Sequence, residues 1–411
     1  MWKLIKDLFD NYHLKVHNLF ILAAGSAVFC FSWSRDNYYA YQLENFTPSE
    51  VAIVFYFFYF LLASYTILCL IKIKEWRPNI YIFFIALFFL AFAPPILSLD
   101  TGAYVLGAKN FISINNRAYV EAISGASIWS SQLNNVWWLD YPTVYGPVFL
   151  SIVSPSLLFS YYGLLSVILG YKLIVLLSFL LLICIFNRIL KIKKIDSKTI
   201  YLLALNPALL INWILEGHND IYVSLGLLGL VLFLEKKDEM SGWMVFFLSI
   251  FIKYTSIIFS PVLFISKNKV DVKKILIFFL IAFSAFFLFF RLSGLAPLDL
   301  SDNLFFINRC FYKCTPIVYF VSIFGCYQDI IRFIIFTLTY VFLLWRYLYL
   351  EWNYLKFIFW ASASLFFIQT AWLTPWYPTI IIPIGLLINE KKYLYLVILI
   401  TGYSLLHYIG I

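Results

Sequence analysis

Long apolar stretches recur along almost the whole chain, and they restrict it to very few folds. Most of them are close to the length that a helix needs to cross the hydrocarbon core of a bilayer, about 20 residues for about 30 Å. Because backbone polar groups find no partners in lipid, such stretches must form helices. They occupy approximately residues 17–34, 50–71, 79–98, 160–187, 199–215, 220–234, 273–290, 330–349, 355–373, 377–389 and 393–409.

The composition supports the same interpretation. Of the 411 residues, 63% are apolar and only 12% are charged, whereas soluble domains carry about 25% charged residues. We therefore predict an all-α polytopic membrane protein, with residues 1–411 forming a single integral membrane domain of roughly 10–13 transmembrane helices. The N-terminus shows no cleavable signal pattern, so the first apolar stretch is expected to act as the targeting signal.

Four segments do not fit simple spans. Residues 241–266 are too short for two spans, and we predict a re-entrant pair of short helices that turn near Lys253–Ser256 beside a polar cavity. Residues 146–156 are expected to lie as a helix at the interface. Residues 100–145 form a predicted extracytoplasmic loop with interfacial helices, and residues 292–329 form a second extracytoplasmic loop.

The distribution of basic residues sets the predicted orientation. The 30 Lys and Arg residues give a net charge of +9, and they occur in short clusters between the apolar stretches. In this topology 21 of them share the side of the N-terminus, seven lie on the other side and two lie within apolar stretches. Since basic loops stay in the cytoplasm, we expect a cytoplasmic N-terminus in a plasma or inner membrane, with lipid rather than nucleic acid as the partner.

The six cysteines match no metal-binding pattern, and the sequence predicts neither a metal nor a cofactor. Cys310, Cys314 and Cys326 fall in or next to the second extracytoplasmic loop. One disulfide among them is possible if that loop is outside the cell, and free thiols are an equally good interpretation.

Polar motifs interrupt the apolar sequence at four places, all on the predicted extracytoplasmic face. The first contains Asp100, which follows Pro94-Pro95 at the end of an apolar stretch. Because proline ends or kinks a helix, this carboxylate is well placed to meet a substrate at the membrane surface. The alternative is that Asp100 only marks where the helix leaves the lipid.

The second motif lies at the end of the first predicted loop. It runs from Asp140 and Tyr141 to Tyr145-Gly146-Pro147. Aromatic residues commonly anchor at membrane interfaces, so they need no functional explanation. A Tyr-Gly-Pro sequence that opens a short helix is more specific, because glycine permits a close approach of the backbone.

The third motif is a polar cluster between two apolar stretches. If Asn219 or Asp220 capped the following helix, that would explain one residue but not the cluster. The fourth motif contains Trp376 and Tyr377 before a short apolar stretch, and an aromatic belt is its simplest explanation. The polar members of the third motif are Asn206, Asn212, Glu216, His218, Asn219 and Asp220.

Two lysines lie within apolar stretches, where a charge is costly and usually faces a cavity or a partner. Lys253 lies at the predicted re-entrant turn and is expected to reach an anionic headgroup. Lys172 lies closer to the middle of a span, and a structural pairing with a carboxylate is as good an interpretation as a functional one.

In this order the motifs resemble the polyprenyl-phosphate-mannose-dependent mannosyltransferases of the C-type glycosyltransferase superfamily, in particular the bacterial alpha-1,6-mannosyltransferase branch. The resemblance covers about residues 79–390. After Asp100 the family usually has Arg-Tyr and a Trp-Asp-Gly run, whereas this chain has Ala103-Tyr104 and Lys109-Asn110. The matching residues are Pro95, Ser98, Asp100 and Tyr104, then Tyr141-Pro142 with Tyr145-Gly146-Pro147, then Asn206-Pro207 with Gly217-His218-Asn219-Asp220, then Lys253 with Pro261, and finally Pro375-Trp376-Tyr377.

The resemblance implies an inverting transfer of a hexose, mannose in the first place, from a polyprenyl-phosphate carrier to a hydroxyl group of a glycan or glycolipid. The site would face the extracytoplasmic side, with Asp100 as the general base. Tyr104, Asp140 and Tyr141 would contact the acceptor. The expected donor-binding residues are Lys253, His218, Asn219, Asp220, Tyr145, Trp376 and Tyr377.

Three alternatives stay open at this point. A transporter or lipid flippase would need charges at membrane depth on several helices, and only Lys172 and Lys253 qualify. A lipid-linked oligosaccharide polymerase or ligase typically has paired arginines in a late outer loop, and residues 292–329 contain only Arg309. A subunit without its own activity is the third alternative.

Overall fold

The computed structural model describes residues 80–95, 98, 100–113, 143–266, 269–293, 316–350, 352–370 and 374–409. The predicted spans at 17–34 and 50–71, Asp140, Tyr141 and most of the second predicted loop lie outside the described residues, and so do Cys310, Cys314 and the side chain of Cys326. Cys184 is an exposed free thiol. The described part is almost entirely helical, as predicted, and its two strands form one small hairpin.

The first half of the described chain contains short helices around two long ones. Residues 100–113, the first part of the predicted loop 100–145, form a helix whose middle is buried. The helices are α1 (Ile80–Phe92), α2 (Asp100–Ser113), α3 (Pro147–Val153), α4 (Leu164–Lys193), α5 (Thr199–Ala204), α6 (Pro207–Leu209), α7 (Asp220–Glu235) and α8 (Glu239–Ile252). A 3-10 helix, Ser154–Tyr162, extends α3, and a π-helical turn, Leu210–Leu215, extends α6.

The second half begins where the helical structure is interrupted at Lys253, the place at which the sequence predicts a turn. A 3-10 helix, Tyr254–Phe259, leads to α9 (Pro261–Phe264) and to the antiparallel strands β1 (Ile265–Ser266) and β2 (Lys269–Val270). The remaining helices are α10 (Val272–Ser293), α11 (Pro316–Val321), α12 (Gln328–Tyr349), α13 (Tyr354–Ser364), α14 (Ile381–Ile388) and α15 (Lys391–Leu406). Further 3-10 turns are Ser322–Tyr327, Tyr377–Ile380 and His407–Ile409, and Leu365–Gln369 is a π-helical turn.

Within the described residues, α4 and α12 are long and apolar enough to cross a membrane. A third span is possible if Pro207–Leu215 and α7, which meet at an angle of 117°, are counted together as one broken span or re-entrant loop. The predicted number of spans and the re-entrant role of residues 241–266 stay predictions. The apolar helices are consistent with a membrane protein.

Helix α7 packs against α4 and α8, and most of its residues are buried. It packs closely on α8 through small residues. A Cβ atom at Gly226 would lie 2.7 Å from Ser249 Cβ, so the two backbones approach to a distance that only glycine permits. Small residues serve this purpose between membrane helices in general. The tight packing of α7 fixes the position of its N-terminal end.

The C-terminal helix α15 is attached to the start of the broken pair by buried side chains. Asn206 Nδ2 donates to Thr401 Oγ1 at 2.8 Å, and Asn212 Nδ2 donates to Ser404 Oγ at 2.9 Å. The Tyr408 hydroxyl donates to Asn212 Oδ1 at 2.7 Å. The two asparagines of the third polar motif therefore stabilise the fold, and they face α15 rather than a substrate.

Candidate active site

Five segments meet at the N-terminal end of α7. They are residues 98–104, residues 145–149, the turn at 216–220, Lys253 and residues 376–377. Every predicted site residue within the described ranges belongs to one of them. Each segment lies at the beginning or the end of a helix, so the fold gathers five helix termini at one place.

Asp100 opens α2 and lies at the edge of this cluster. Its backbone N–H donates to Ser98 Oγ at 3.2 Å, and its Oδ2 lies 3.6 Å from His218 Nδ1. The side chain is 13% exposed. Burial, and after it the nearby Asp220 carboxylate, raises the pKa of Asp100 to about 7, although the Lys253 ammonium acts in the opposite direction. A carboxylate with such a pKa is well matched to accepting a proton near neutral pH.

His218 is fully buried and held from two sides. Its ring stacks on Trp376, with 3.9 Å between the ring centres and an angle of 16° between the planes. Its Nδ1 lies 3.4 Å from the Tyr104 hydroxyl, while Nε2 has no hydrogen-bond partner. The stacking fixes the plane of the imidazole, so that Nδ1 faces Asp100 and Tyr104 while Nε2 stays buried without a hydrogen-bond partner.

The turn that presents His218 depends on Gly217. This glycine has φ +71°, in the left-handed region that other residues rarely adopt. The Tyr171 hydroxyl donates to Gly217 O at 2.9 Å, and a Cβ atom on Gly217 would lie 3.3 Å from Thr101 Oγ1. The turn is thus clamped between α4 and α2, which explains why a glycine precedes the histidine.

Lys253 and Asp220 form an ion pair within the cluster. Lys253 Nζ lies 2.8 Å from Asp220 Oδ1 and 4.2 Å from the centre of the Tyr377 ring. Lys253 has an extended backbone that ends α8, and its side chain is 16% exposed, whereas Asp220 is fully buried. Lys253 is therefore the solvent-accessible member of this ion pair, and Asp220 is the buried one.

The capping explanation for the third motif is not what the structure shows. Asn219 occupies the N-cap position of α7, but its side chain makes no capping hydrogen bond. Asp220 instead directs Oδ1 to Lys253. Asn219 Nδ2 and Asp220 Oδ2 are buried and, like His218 Nε2, have no hydrogen-bond partner. Leaving such groups unsatisfied costs free energy, so these three atoms differ from the satisfied polar groups of the helix core.

The Tyr145-Gly146-Pro147 motif is packed against the end of α8, beside Lys253. The Gly146 N–H donates to Ile252 O at 3.2 Å. A Cβ atom on Gly146 would lie 1.9 Å from Phe251 O, so only glycine fits. This contact brings Tyr145 against the ring of Tyr104, with 5.0 Å between the ring centres.

Tyr104, which the sequence places among the acceptor contacts, is 1% exposed. The structure positions it beneath Asp100, with its hydroxyl directed at His218. Tyr104 therefore contacts Asp100 and His218 from the buried side of the cluster. Among the described residues no group of three or more His, Cys, Asp and Glu side chains is arranged to hold a metal ion.

Sequence reasoning missed a role for Glu216 and left that of Lys172 open. Both are fully buried, and they interact electrostatically. Glu216 Oε2 accepts a hydrogen bond from Ser98 N at 2.9 Å, and Lys172 Nζ donates to Leu90 O at 3.0 Å. A lysine in an apolar stretch signals a buried partner, but the sequence did not indicate which acid it would be.

Comparison with known proteins identifies a family. Residues 4–267 match the model of the family described as Alpha-(1->6)-mannopyranosyltransferase, N-terminal domain. The match covers more than half of the chain and confirms the resemblance drawn from the motifs. It includes the candidate site residues up to Lys253, whereas Trp376 and Tyr377 lie beyond it. No curated protein and no solved structure is significantly similar to the chain.

Proposed function

The chain belongs to the alpha-(1->6)-mannopyranosyltransferase family, and on that premise we propose a donor, a stereochemical course and a catalytic base for its reaction. As a mannosyltransferase it is a glycosyltransferase, which needs a sugar donor and a glycan acceptor. The proposed donor is a hexose, mannose in the first place, on a polyprenyl-phosphate carrier. The proposed acceptor is a hydroxyl group of a glycan or glycolipid on the extracytoplasmic face.

The observation that carries this proposal is the environment of Asp100. This carboxylate is partly exposed, has a pKa of about 7 and borders the polar cluster around His218. As the general base, Asp100 takes the proton of the acceptor hydroxyl while the acceptor oxygen attacks the anomeric carbon. The bond from that carbon to the phosphate oxygen breaks, and its electron pair leaves with the polyprenyl phosphate. A single displacement of this kind inverts the anomeric centre.

Lys253 is suited to the phosphate of the donor. The leaving group gains negative charge as the bond breaks, and a fixed cation beside it stabilises that charge. Lys253 is partly exposed, whereas the other ammonium near the cluster, Lys172, is fully buried. Asp220 orients Lys253 from the buried side, at 2.8 Å, so that its remaining protons are available to phosphate oxygens.

The turn before α7 is suited to the sugar rather than to the phosphate. His218 Nε2, Asn219 Nδ2 and Asp220 Oδ2 combine a donor and an acceptor with an imidazole nitrogen that can serve as either. Sugar hydroxyls both donate and accept, whereas a phosphate offers only acceptors and would be repelled by Asp220. Trp376 and Tyr377 add partly exposed aromatic rings next to these atoms, which suit the apolar face of a sugar ring.

The distribution of charge in the fold supports an extracytoplasmic site. The site lies at the N-terminal end of α7, and the ion pair of Lys193 with Glu235 lies at its C-terminal end. A helix of 16 residues is about 24 Å long. Lys193 belongs to a basic cluster, residues 188–198, which is expected in the cytoplasm. The site and this cluster are therefore assigned to opposite faces.

The experiment that tests the proposal uses the purified full-length protein in lipid nanodiscs with radiolabelled donors. Polyprenyl-phosphate mannose with a mannoside acceptor is expected to yield free polyprenyl phosphate and a product of opposite anomeric configuration, which NMR detects. A nucleotide-activated mannose is expected to give no product. Turnover only with a pyrophosphate-linked oligosaccharide would contradict the proposal and favour the polymerase or ligase alternative.

The pKa of Asp100 predicts the pH dependence of turnover. The base acts in its deprotonated form, so kcat is expected to be half-maximal near pH 7, to reach a plateau about one pH unit above it and to fall about tenfold per pH unit well below it. Initial rates at saturating donor and acceptor, measured between about pH 5 and pH 9, check this. A flat profile down to about pH 5 would show that no group with this pKa limits the reaction.

A further inference from the structure

Lys172 and Glu216 lie behind the candidate site and touch the segment that carries Asp100 at both of its ends. On one side, Lys172 Nζ donates to Leu90 O at 3.0 Å and also to Ala93 O. These carbonyls lie at the C-terminal end of α1, where a cation is electrostatically favourable. On the other side, Glu216 Oε2 accepts from Ser98 N at 2.9 Å. The Pro94-Pro95 turn lies between the two anchors.

The contact between Glu216 and Ser98 is linked to Asp100 by a further hydrogen bond. Ser98, held by Glu216 through its backbone N–H, accepts a hydrogen bond from Asp100 N through its hydroxyl. The Thr101 hydroxyl donates to the backbone oxygen of Glu216. Asp100 is thus flanked by two residues that are both attached to Glu216, one on each side along the chain.

The burial of these two ionisable side chains calls for a functional explanation. Both side chains are fully buried, and burying two charges is costly enough that well-packed apolar residues often stabilise a fold equally well. Neither Lys172 nor Glu216 is exposed to a substrate at the site. The atoms that their side chains hold are backbone atoms of Leu90, Ala93 and Ser98, all before Asp100 in the chain.

We propose that Lys172 and Glu216 are positioning residues, which hold Ala93 and Ser98 in place so that the Asp100 carboxylate faces the acceptor. The inference rests on the proposed role of Asp100 as the base. Displacement of a reacting group by about 1 Å can cost about 100-fold in rate. A displaced Asp100 would also be more hydrated, and its pKa would move from about 7 toward the ordinary carboxyl value.

Two double variants separate positioning from folding. The Leu variant, Lys172→Met with Glu216→Leu, removes both charges and the acceptor for Ser98 N. The matched Gln control, Lys172→Met with Glu216→Gln, removes both charges but keeps an amide oxygen that can accept from Ser98 N. Balanced removal of a buried pair is usually tolerated. In the Leu variant we expect kcat to fall about 100-fold with the donor KM within about threefold, and the midpoint of the pH profile to move at least one unit below 7.

In the Gln control, which lacks Lys172 but keeps an acceptor for Ser98 N, we expect a smaller loss, with kcat about tenfold below the parent and a midpoint between those of the Leu variant and the parent. The midpoint does not depend on the amount of active protein, so it distinguishes displacement of Asp100 from partial misfolding. If the Leu variant does not fold, Ser98→Ala, which removes the hydroxyl through which Asp100 N is linked to the residue held by Glu216, is expected to lower both kcat and the midpoint.

The inference would be overturned if the Leu variant, or Ser98→Ala in its place, kept the kcat and the pH midpoint of the parent. Asp100→Asn measured in the same assay identifies the source of such a failure. Full turnover of Asp100→Asn would contradict the proposed base. Collapse of Asp100→Asn, together with a parental Leu variant, would contradict only the positioning role.

Discussion

Replacing Asp100 by asparagine is expected to lower turnover by about 10²–10⁴-fold, the usual loss when a general base is removed. Asparagine keeps the shape of the side chain but cannot accept the acceptor's proton. Asp100 lies at the edge of the cluster and is partly exposed, so expression and donor binding are expected to stay near those of the parent. Single-turnover rates with bound polyprenyl-phosphate mannose measure the effect directly.

Asp196→Asn is the matched control for this variant. Asp196 lies exposed in the basic loop after α4, far along the chain from the site, and caps a local turn through Lys198 N. Its replacement should leave turnover unchanged. Turnover of Asp100→Asn within about threefold of the parent would exclude Asp100 as the base, and Asp220 would then be the next carboxylate to test.

Replacing Lys253 by methionine is expected to weaken donor binding by about 10–100-fold, because a hydrogen bond to a charged group contributes about 1.5–3 kcal/mol. The change also leaves the buried Asp220 without the ammonium that lies 2.8 Å away. We therefore expect lower thermal stability as well. Titration of the protein in nanodiscs with polyprenyl phosphate and with its mannosylated form measures the affinity.

The double variant Lys253→Met with Asp220→Asn separates the two effects. Removing both charges is expected to restore most of the thermal stability, because no uncompensated carboxylate is left, but not the affinity for polyprenyl phosphate. Lys274→Met, which breaks a more exposed ion pair with Glu239, serves as the control and should bind donor normally. Parental donor affinity in the double variant would assign the phosphate to another part of the protein.

Much of the helical architecture could be predicted from the apolar stretches. The predicted stretch at 220–234 corresponds to α7, that at 273–290 to α10, and that at 330–349 to α12. The stretch at 199–215 is instead divided into α5, α6 and a π-helical turn. Asn206 there accepts from the N–H groups of Ala208 and Leu209 and so starts a new helix. A hydropathy pattern averages over such local hydrogen bonds and does not resolve them.

The polar groups of the site could also be found in the sequence, because each interrupts an apolar helix. Asp100, His218, Lys253 and Trp376 were selected for this reason, and the structure places them in one cluster. Their roles in binding and catalysis remain predictions. Asn206 and Asn212 interrupt apolar sequence in the same way, yet they bind α15. The sequence alone does not show whether a buried polar group faces a ligand or another helix.

The sequence by itself determined the helical class of this protein and its family, because apolar periods and ordered motifs are local properties of the chain. Only the tertiary structure decided which groups are partners. It joins Lys253 to Asp220 and Lys172 to the turn before Asp100, and it stacks Trp376 on His218 from a segment more than 150 residues away. A buried charge requires a partner, but which residue supplies it depends on how the helices pack.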